Sequence, residues 1–237
     1  MRPGLAATPP PLRRHRLARL TDAGWADVLA RAWDAQARAC LTLWAARRLP
    51  LVIARQPAEA VAGGRVALGL SAPGCWDRRR LALRVPSSAI DGFEEFPCLD
   101  GAWAPDGAPS ASVRALAAEV GAALGARQAV AHVFGSHGWR AITGLDHVRP
   151  TSDLDLWIAV DGAAHADGVA AALAAFEGSR PRLDGELVFA DGAAVAWREW
   201  IEWRAGRARA VLVRHLEGIA LRHDTGWCAA PAAERGA

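Results

Sequence analysis

The sequence predicts an α+β chain: a mixed sheet with flanking helices, preceded by a smaller N-terminal α+β unit. Three observations point there. Short runs with two-residue apolar alternation lie between segments whose apolar residues repeat every three to four positions. A turn-rich stretch, 91–110, ending in GAWAPDGAPS, divides the chain into parts near 1–95 and 110–237. The second part reads helix, strand, Gly-Ser, strand, helix, strand, an order that lets one sheet bring several polar side chains to one edge.

Residues 22–48 carry Trp25, Leu29, Trp33, Cys40, Leu41 and Trp44 roughly on one side and predict one amphipathic helix. After Pro50, LPLVIARQP predicts a strand that Pro57 ends. GRVALGLSA (64–72) and RRRLALRVP (78–86) predict two more, joined by an arginine-dense loop. Ser110 or Ser112 is an N-cap candidate for a helix with Val113, Leu116, Val120 and Leu124 in one stripe, closed by Gly125. A strand at 129–134 ends in Gly135-Ser136. A polar excursion over 137–152 leads into the strand DLDLWIAV. An alanine-rich helix is predicted over 162–177. Strands at 183–189 and 193–200 follow, joined by Asp191-Gly192, a hairpin signal. ARAVLVRHL (208–216) predicts a further strand or helix start.

Composition narrows the function classes. At 237 residues the chain can bury a substantial core. No run of 18 apolar residues suggests a membrane span. The start, MRPGLAATPPPLRRHRLARL, lacks a signal peptide's apolar segment, and the expected location is cytoplasmic. Cys40, Cys75, Cys98 and Cys228 are too scattered for a zinc site or a disulfide framework. Net charge is +3 and lysine is absent, so all 28 Lys-or-Arg positions are arginine. That balance suits a phosphate-rich partner without requiring nucleic acid.

Asp153 and Asp155 carry the chemistry. Strand alternation points both to one face, with Leu154 and Leu156 on the other. Two carboxylates in an apolar strand repel each other and resist desolvation, a cost a bound cation relieves. Gly135-Ser136 upstream offers backbone N–H groups and a hydroxyl to phosphate, and Gly135 permits close approach. His137 adjoins that turn and is a candidate substrate contact. Either motif alone is commonly structural. Their order across two strands predicts a Mg²⁺-dependent phosphoryl or nucleotidyl transfer centre. Asp184, Glu186 and Glu199 are candidates for a third carboxylate, with Glu186 slightly favoured. Arg55, Arg79 and Arg80 are candidate phosphate ligands, because guanidinium matches phosphate oxygens bidentately.

The run Phe134-Gly-Ser-His-Gly-Trp-Arg-Ala-Ile-Thr-Gly144, followed by Ser152-Asp-Leu-Asp-Leu156, resembles the malonate decarboxylase holo-acyl-carrier-protein synthases, the phosphoribosyl-dephospho-CoA transferases. Arg14-His15, Pro50 to Arg55, Val66 to Leu70, Arg78 to Arg80 and Val195 to Glu199 extend the likeness over about 13–217. The resemblance implies a nucleotidyltransferase-like mixed sheet. It implies transfer of phosphoribosyl-dephospho-CoA from triphosphoribosyl-dephospho-CoA to a serine of the decarboxylase's acyl-carrier subunit, with loss of diphosphate. Asp153 and Asp155 would then be the metal-binding aspartates. Sixteen residues separate Ser136 from Asp153, more than in generic members of that superfamily. The segment 137–152 is therefore expected to be a family insertion that contacts dephospho-CoA or the carrier.

Two other readings compete. A general nucleotidyltransferase acting on another protein or small molecule would use the same site. A non-catalytic nucleotide- or nucleic-acid-binding module would exploit the arginines and the eleven tryptophans. Basic and aromatic residues are scattered here rather than interleaved on one element, which argues against the module.

Overall fold

The computed structural model describes residues 12–101 and 107–228. The proline-broken start, part of the turn-rich divider and the last nine residues lie outside these. Among the described residues the chain is α+β, with seven α-helices and two sheets.

The first sheet is antiparallel. Strands β1 (Leu17–Leu20), β2 (Leu51–Ile53), β3 (Arg65–Ser71), β4 (Arg80–Pro86) and β5 (Ile90–Glu94) lie in the order β4-β3-β2-β1-β5. Helices α1 (Asp22–Ala30) and α2 (Ala35–Ala46) pack on it, and α3 (Ala58–Ala62) is a short helix between strands. The single helix expected over 22–48 is thus two. Asp34 breaks it: its carboxylate accepts the Ala37 N–H at 2.9 Å and caps α2, while Arg31 to Asp34 turn the chain. The apolar period runs through both helices because both cover one core, around Trp25, Leu41 and Trp44. The divider expected over 91–110 also starts later. β5 completes the sheet by pairing with β1, and Phe96 is buried beyond it.

The second sheet is mixed. β6 (Ala131–Val133), β7 (Leu154–Val160), β8 (Leu183–Phe189), β9 (Ala194–Ala196), β10 (Val211–Arg214) and β11 (Ile219–Arg222) lie in the order β11-β10-β9-β8-β7-β6. Only β7 and β8 are parallel. The intervening α6 (Ala163–Ala174) supplies the crossover that parallel pairing requires. One face carries Leu154, Leu156, Ile158 and Val160 of β7, all buried against α4 (Ala111–Gly125) and α6. Burial of each leucine or isoleucine contributes roughly 2 kcal/mol. Ser110 caps α4 as expected, accepting the Val113 N–H at 3.3 Å.

Two elements depart from the sequence reading. The stretch after Gly-Ser is helix α5 (Gly135–Thr143), so the expected insertion loop is reduced to the residues between Thr143 and Leu154. The expected strand 193–200 stops at Ala196 and becomes α7 (Trp197–Arg204). Trp197, Trp200 and Trp203 recur every three residues and are all buried, a helical stripe that drives the switch. Glu199 therefore sits on a helix, 3.2 Å from Arg214, rather than on a strand beside β8.

The two cores meet at α5. Trp139 belongs to the first core and packs edge-on against Phe96, ring centres 5.5 Å apart. The polar face of the second sheet is turned toward the N-terminal part: Arg14 Nη2 and His15 Nε2 reach Glu186 of β8 at 3.1 and 2.7 Å. No helix among the described residues is long and apolar enough to cross a membrane.

Candidate active site

Antiparallel pairing of β6 with β7, and parallel pairing of β7 with β8, bring the end of β6 and the starts of β7 and β8 to one edge. Gly135-Ser136, Asp153, Asp155 and Asp184 meet there. Phe134 donates its N–H to the Asp155 carbonyl at 3.0 Å, which fixes the turn against β7. Gly135 has φ +61, where a side chain is strained, and a Cβ there would collide with the Asp155 carboxylate. The chain thus needs glycine at 135 for two independent reasons. α5 begins here with no side-chain cap, so its first N–H groups and the positive end of its dipole lie beside Asp155 and remain open to an anion.

The third acid of this edge is Asp184. The register places it directly across from Asp155, and residues opposite each other in a parallel pair share a face. Glu186 lies two residues farther along β8, opposite Trp157, and is held by Arg14 and His15, with Arg214 Nε 3.7 Å away. Glu186, the acid slightly favoured from the sequence, is thus engaged with cations that join the two parts of the chain, and Asp184 is the acid of β8 that lies across from Asp155.

Asp155 is poorly compensated. Burial, then the neighbouring charges of Asp184 and Asp153, push its carboxyl up to about 7, with Arg182 only partly opposing them. Arg182 bridges the outer pair: its Nε donates to Asp153 Oδ1 at 3.1 Å, and its Nη2 donates to Asp153 Oδ2 and to Asp184 Oδ2, the latter at 2.9 Å. A guanidinium thus fills part of the place that positive charge must occupy. Among the described residues no group of three or more His, Cys, Asp or Glu side chains is placed to hold a metal ion. An open carboxylate pair nevertheless fits magnesium, which commonly takes one or two carboxylates and completes its shell with phosphate and water.

Beside this edge opens a cavity of about 580 Å³. His137 and Arg140 line it from α5, and Arg149, Ser152 and Arg180 from the loops entering β7 and β8. His137 is buried, and burial lowers its pKa, so it contributes a neutral ring. The structure therefore gathers Gly135, Ser136, His137, Asp153 and Asp155, as the sequence suggested. It does not gather Arg55, Arg79 and Arg80, none of which lines this cavity. Arg79 is engaged with Asp34 at 2.9 Å and with Gln36 at 3.1 Å, Arg80 starts the edge strand β4, and Arg55 is exposed beyond β2. The arginines near the site are instead Arg140, Arg149, Arg180 and Arg182. A sequence signal existed for Arg140, four residues after Ser136 and so one helical turn above it, but only once 135–143 is read as helix.

The family model described as Phosphoribosyl-dephospho-CoA transferase MdcG C-terminal domain matches residues 102–225, and the corresponding N-terminal domain model matches residues 13–96. This chain belongs to the phosphoribosyl-dephospho-CoA transferase family. It is a transferase. It is 38% identical over 218 residues to the phosphoribosyl-dephospho-CoA transferase of Bradyrhizobium diazoefficiens, covering 90% of this chain and 92% of that one. The enzyme of the same name from Xanthomonas campestris pv. campestris is 35% identical over 200 residues, 83% of this chain and 89% of its own. That from Xanthomonas axonopodis pv. citri is 37% identical over 203 residues, with 85% and 89% covered. No solved structure matches the chain. The boundary between the two family models falls between the two sheets, and the site edge lies wholly within the C-terminal match.

Proposed function

We propose that this chain moves phosphoribosyl-dephospho-CoA from 2′-(5″-triphosphoribosyl)-3′-dephospho-CoA to a serine hydroxyl on the acyl-carrier subunit of malonate decarboxylase. The serine oxygen forms a bond to the phosphorus nearest the ribosyl 5″ carbon. The bond from that phosphorus to the diphosphate oxygen breaks, leaving a phosphodiester and free diphosphate. The hydroxyl proton passes to a carboxylate of the edge, for which Asp184 is the candidate.

One observation carries the reading: Asp155 lies against the uncapped start of α5, with Asp184 across from it. Anion-accepting N–H groups and cation-seeking carboxylates face one point, which is what a triphosphate with its counter-cation requires. The open N–H groups of Ser136 and its neighbours hold phosphate oxygens, and Ser136 adds its hydroxyl. Asp153 and Asp155 would hold Mg²⁺, which when bound neutralises the departing diphosphate and acidifies the attacking hydroxyl. Arg182 adds positive charge at the same edge. The N-terminal part, joined through Glu186 to the sheet face that carries the acids, limits water access and offers a surface for the carrier. A cytoplasmic location accords with a carrier-protein acceptor.

The test is intact-mass spectrometry of the apo carrier subunit incubated with donor, with and without Mg²⁺. The wild-type chain should add one phosphoribosyl-dephospho-CoA mass to one serine, only with the metal. Asp155→Ala should slow the addition by at least ~10³-fold, roughly 4 kcal/mol of barrier, while remaining folded. Modification at equal rates in the variant would remove Asp155 from the mechanism. No addition by folded wild-type protein would reject this donor and acceptor.

A further inference from the structure

The cavity beside the acids is unusual in its walls. Arg140, Arg149 and Arg180 reach it from three separate segments, α5 and the loops entering β7 and β8. Among the described residues none of the three forms an ion pair; Arg180 makes only a 3.3 Å bond from Nη1 to the Ser179 carbonyl. The described lining contains no carboxylate. Like-charged guanidiniums that converge without counter-charge repel one another, a cost an anion relieves. The rest of the wall combines an apolar part, with Val113, Val148 and Pro150, and the polar Ser110, Ser112, Ser152 and His137. About 580 Å³ is the size of a small-molecule site, and a diphosphate alone would fill little of it. Ser152 and Arg180 line the cavity and lie within two residues of Asp153 and Arg182, so its contents sit next to the reacting edge.

We infer that this cavity is the subsite for the dephospho-CoA portion of the donor, with Arg149 and Arg180 on its diphosphate bridge and the apolar wall against its base. The inference rests on the functional reading above and adds to it. The bridging diphosphate is held in the arginine cavity, whereas the reacting triphosphate is held at the start of α5. Two anion sites thus divide one donor, and discrimination against ordinary nucleoside triphosphates arises at the cavity rather than at the acids. Of the insertion expected over 137–152, the part after Thr143 forms one wall, with Val148, Arg149, Pro150 and Ser152.

Arg149 and Arg180 are both exposed, so truncating them spares the fold. Calorimetric titration of 3′-dephospho-CoA, and separately of inorganic diphosphate, into wild type, Arg149→Ala and Arg180→Ala tests the assignment. Each variant should bind dephospho-CoA about tenfold more weakly or worse, the loss expected for one charge-assisted contact, and inorganic diphosphate as wild type does. In turnover, KM for the donor should rise by a similar factor with kcat nearly kept. Unchanged dephospho-CoA affinity in both variants would overturn the inference alone. So would selective loss of inorganic diphosphate, which would make the cavity the leaving-group site. Failure of the wild type itself to bind dephospho-CoA would overturn the functional reading and the inference together.

Discussion

Asp155 and Glu186 lie on the same face of one sheet, on neighbouring strands two register steps apart, yet their electrostatics are opposite. Burial alone would raise Glu186, but hydrogen bonds and charge from His15 and Arg14 override it and hold the carboxyl at about 2. At Asp155 burial is reinforced by Asp184 and Asp153, and the carboxyl rises to about 7. The difference separates two uses of a half-buried acid. Glu186 is satisfied from within the chain and ties the N-terminal part to the second sheet. Asp155 is left wanting positive charge that the chain supplies only partly, through Arg182, and that a ligand can supply instead. A carboxylate's partners, rather than its depth, decide the sign of the shift here.

The sharpest way to break this contrast is Glu186→Gln. It keeps the shape and leaves Arg14, His15 and Arg214 facing a neutral group in a part-buried setting. Stability at pH 7 should drop by about 3 kcal/mol, read from urea melts. A depressed carboxyl stabilises the fold above its unfolded value of 4.5, and that contribution is lost as pH falls through about 2. Wild type and variant should therefore converge at the acid end. A variant as stable as wild type at pH 7 would remove the clamp from the account.

Asp155→Asn should act in the reverse sense. A carboxyl raised to about 7 favours the fold below its unfolded value of 3.8, and that contribution is lost as pH rises through about 7. Without metal, the wild type should lose on the order of 2 kcal/mol between pH 4 and pH 8 at this residue, after allowance for its part exposure. The asparagine variant should show a flatter profile and be the more stable protein at pH 8. Adding Mg²⁺ should restore wild-type stability at pH 8 and do little for the variant. A variant that is less stable than wild type at pH 8 would show that the ionised Asp155 is not under strain.

Much of this was legible beforehand. The stripe Val113 to Leu124, the Ser110 cap and the alternation in DLDLWIAV each agree with the structure, because local preference and tertiary need coincide there. The gathering of Gly135, Ser136, His137, Asp153 and Asp155 followed from alternation and order alone. What escaped did so for identifiable reasons. GSHGWRAIT contains two glycines and reads as a turn, yet it is helical because Trp139 anchors it to the N-terminal core, a long-range contact invisible locally. AVAWREW alternates like a strand for a few residues, and the tryptophan spacing that makes it a helix emerges only at Trp203. Asp184 and Glu186 share a strand and a face, so nothing in the sequence separates them. Their different surroundings depend on Arg14 and His15, which hold Glu186 from more than 160 residues away in the chain.

The arginine run shows the same limit and yields the smallest expected effect. Arg78 to Arg80 look like a phosphate clamp by density, but density is cheap in a chain whose basic residues of that class are all arginine. The structure sets Arg78 against Asp146 at 3.3 Å, in the loop after α5, and commits Arg79 to Asp34. The Arg79–Asp34 pair is exposed, and such pairs contribute little to stability because water and salt screen them. Arg79→Ala should therefore leave the melting curve, donor KM and kcat close to wild type, whereas Arg149→Ala should raise KM about tenfold. Measured side by side, the two substitutions remove the same charge from exposed positions, one outside the cavity and one on its wall. Net charge cannot account for a difference between them; position relative to the cavity can. A tenfold rise in KM from Arg79→Ala would return phosphate recognition to the N-terminal part and erase that distinction.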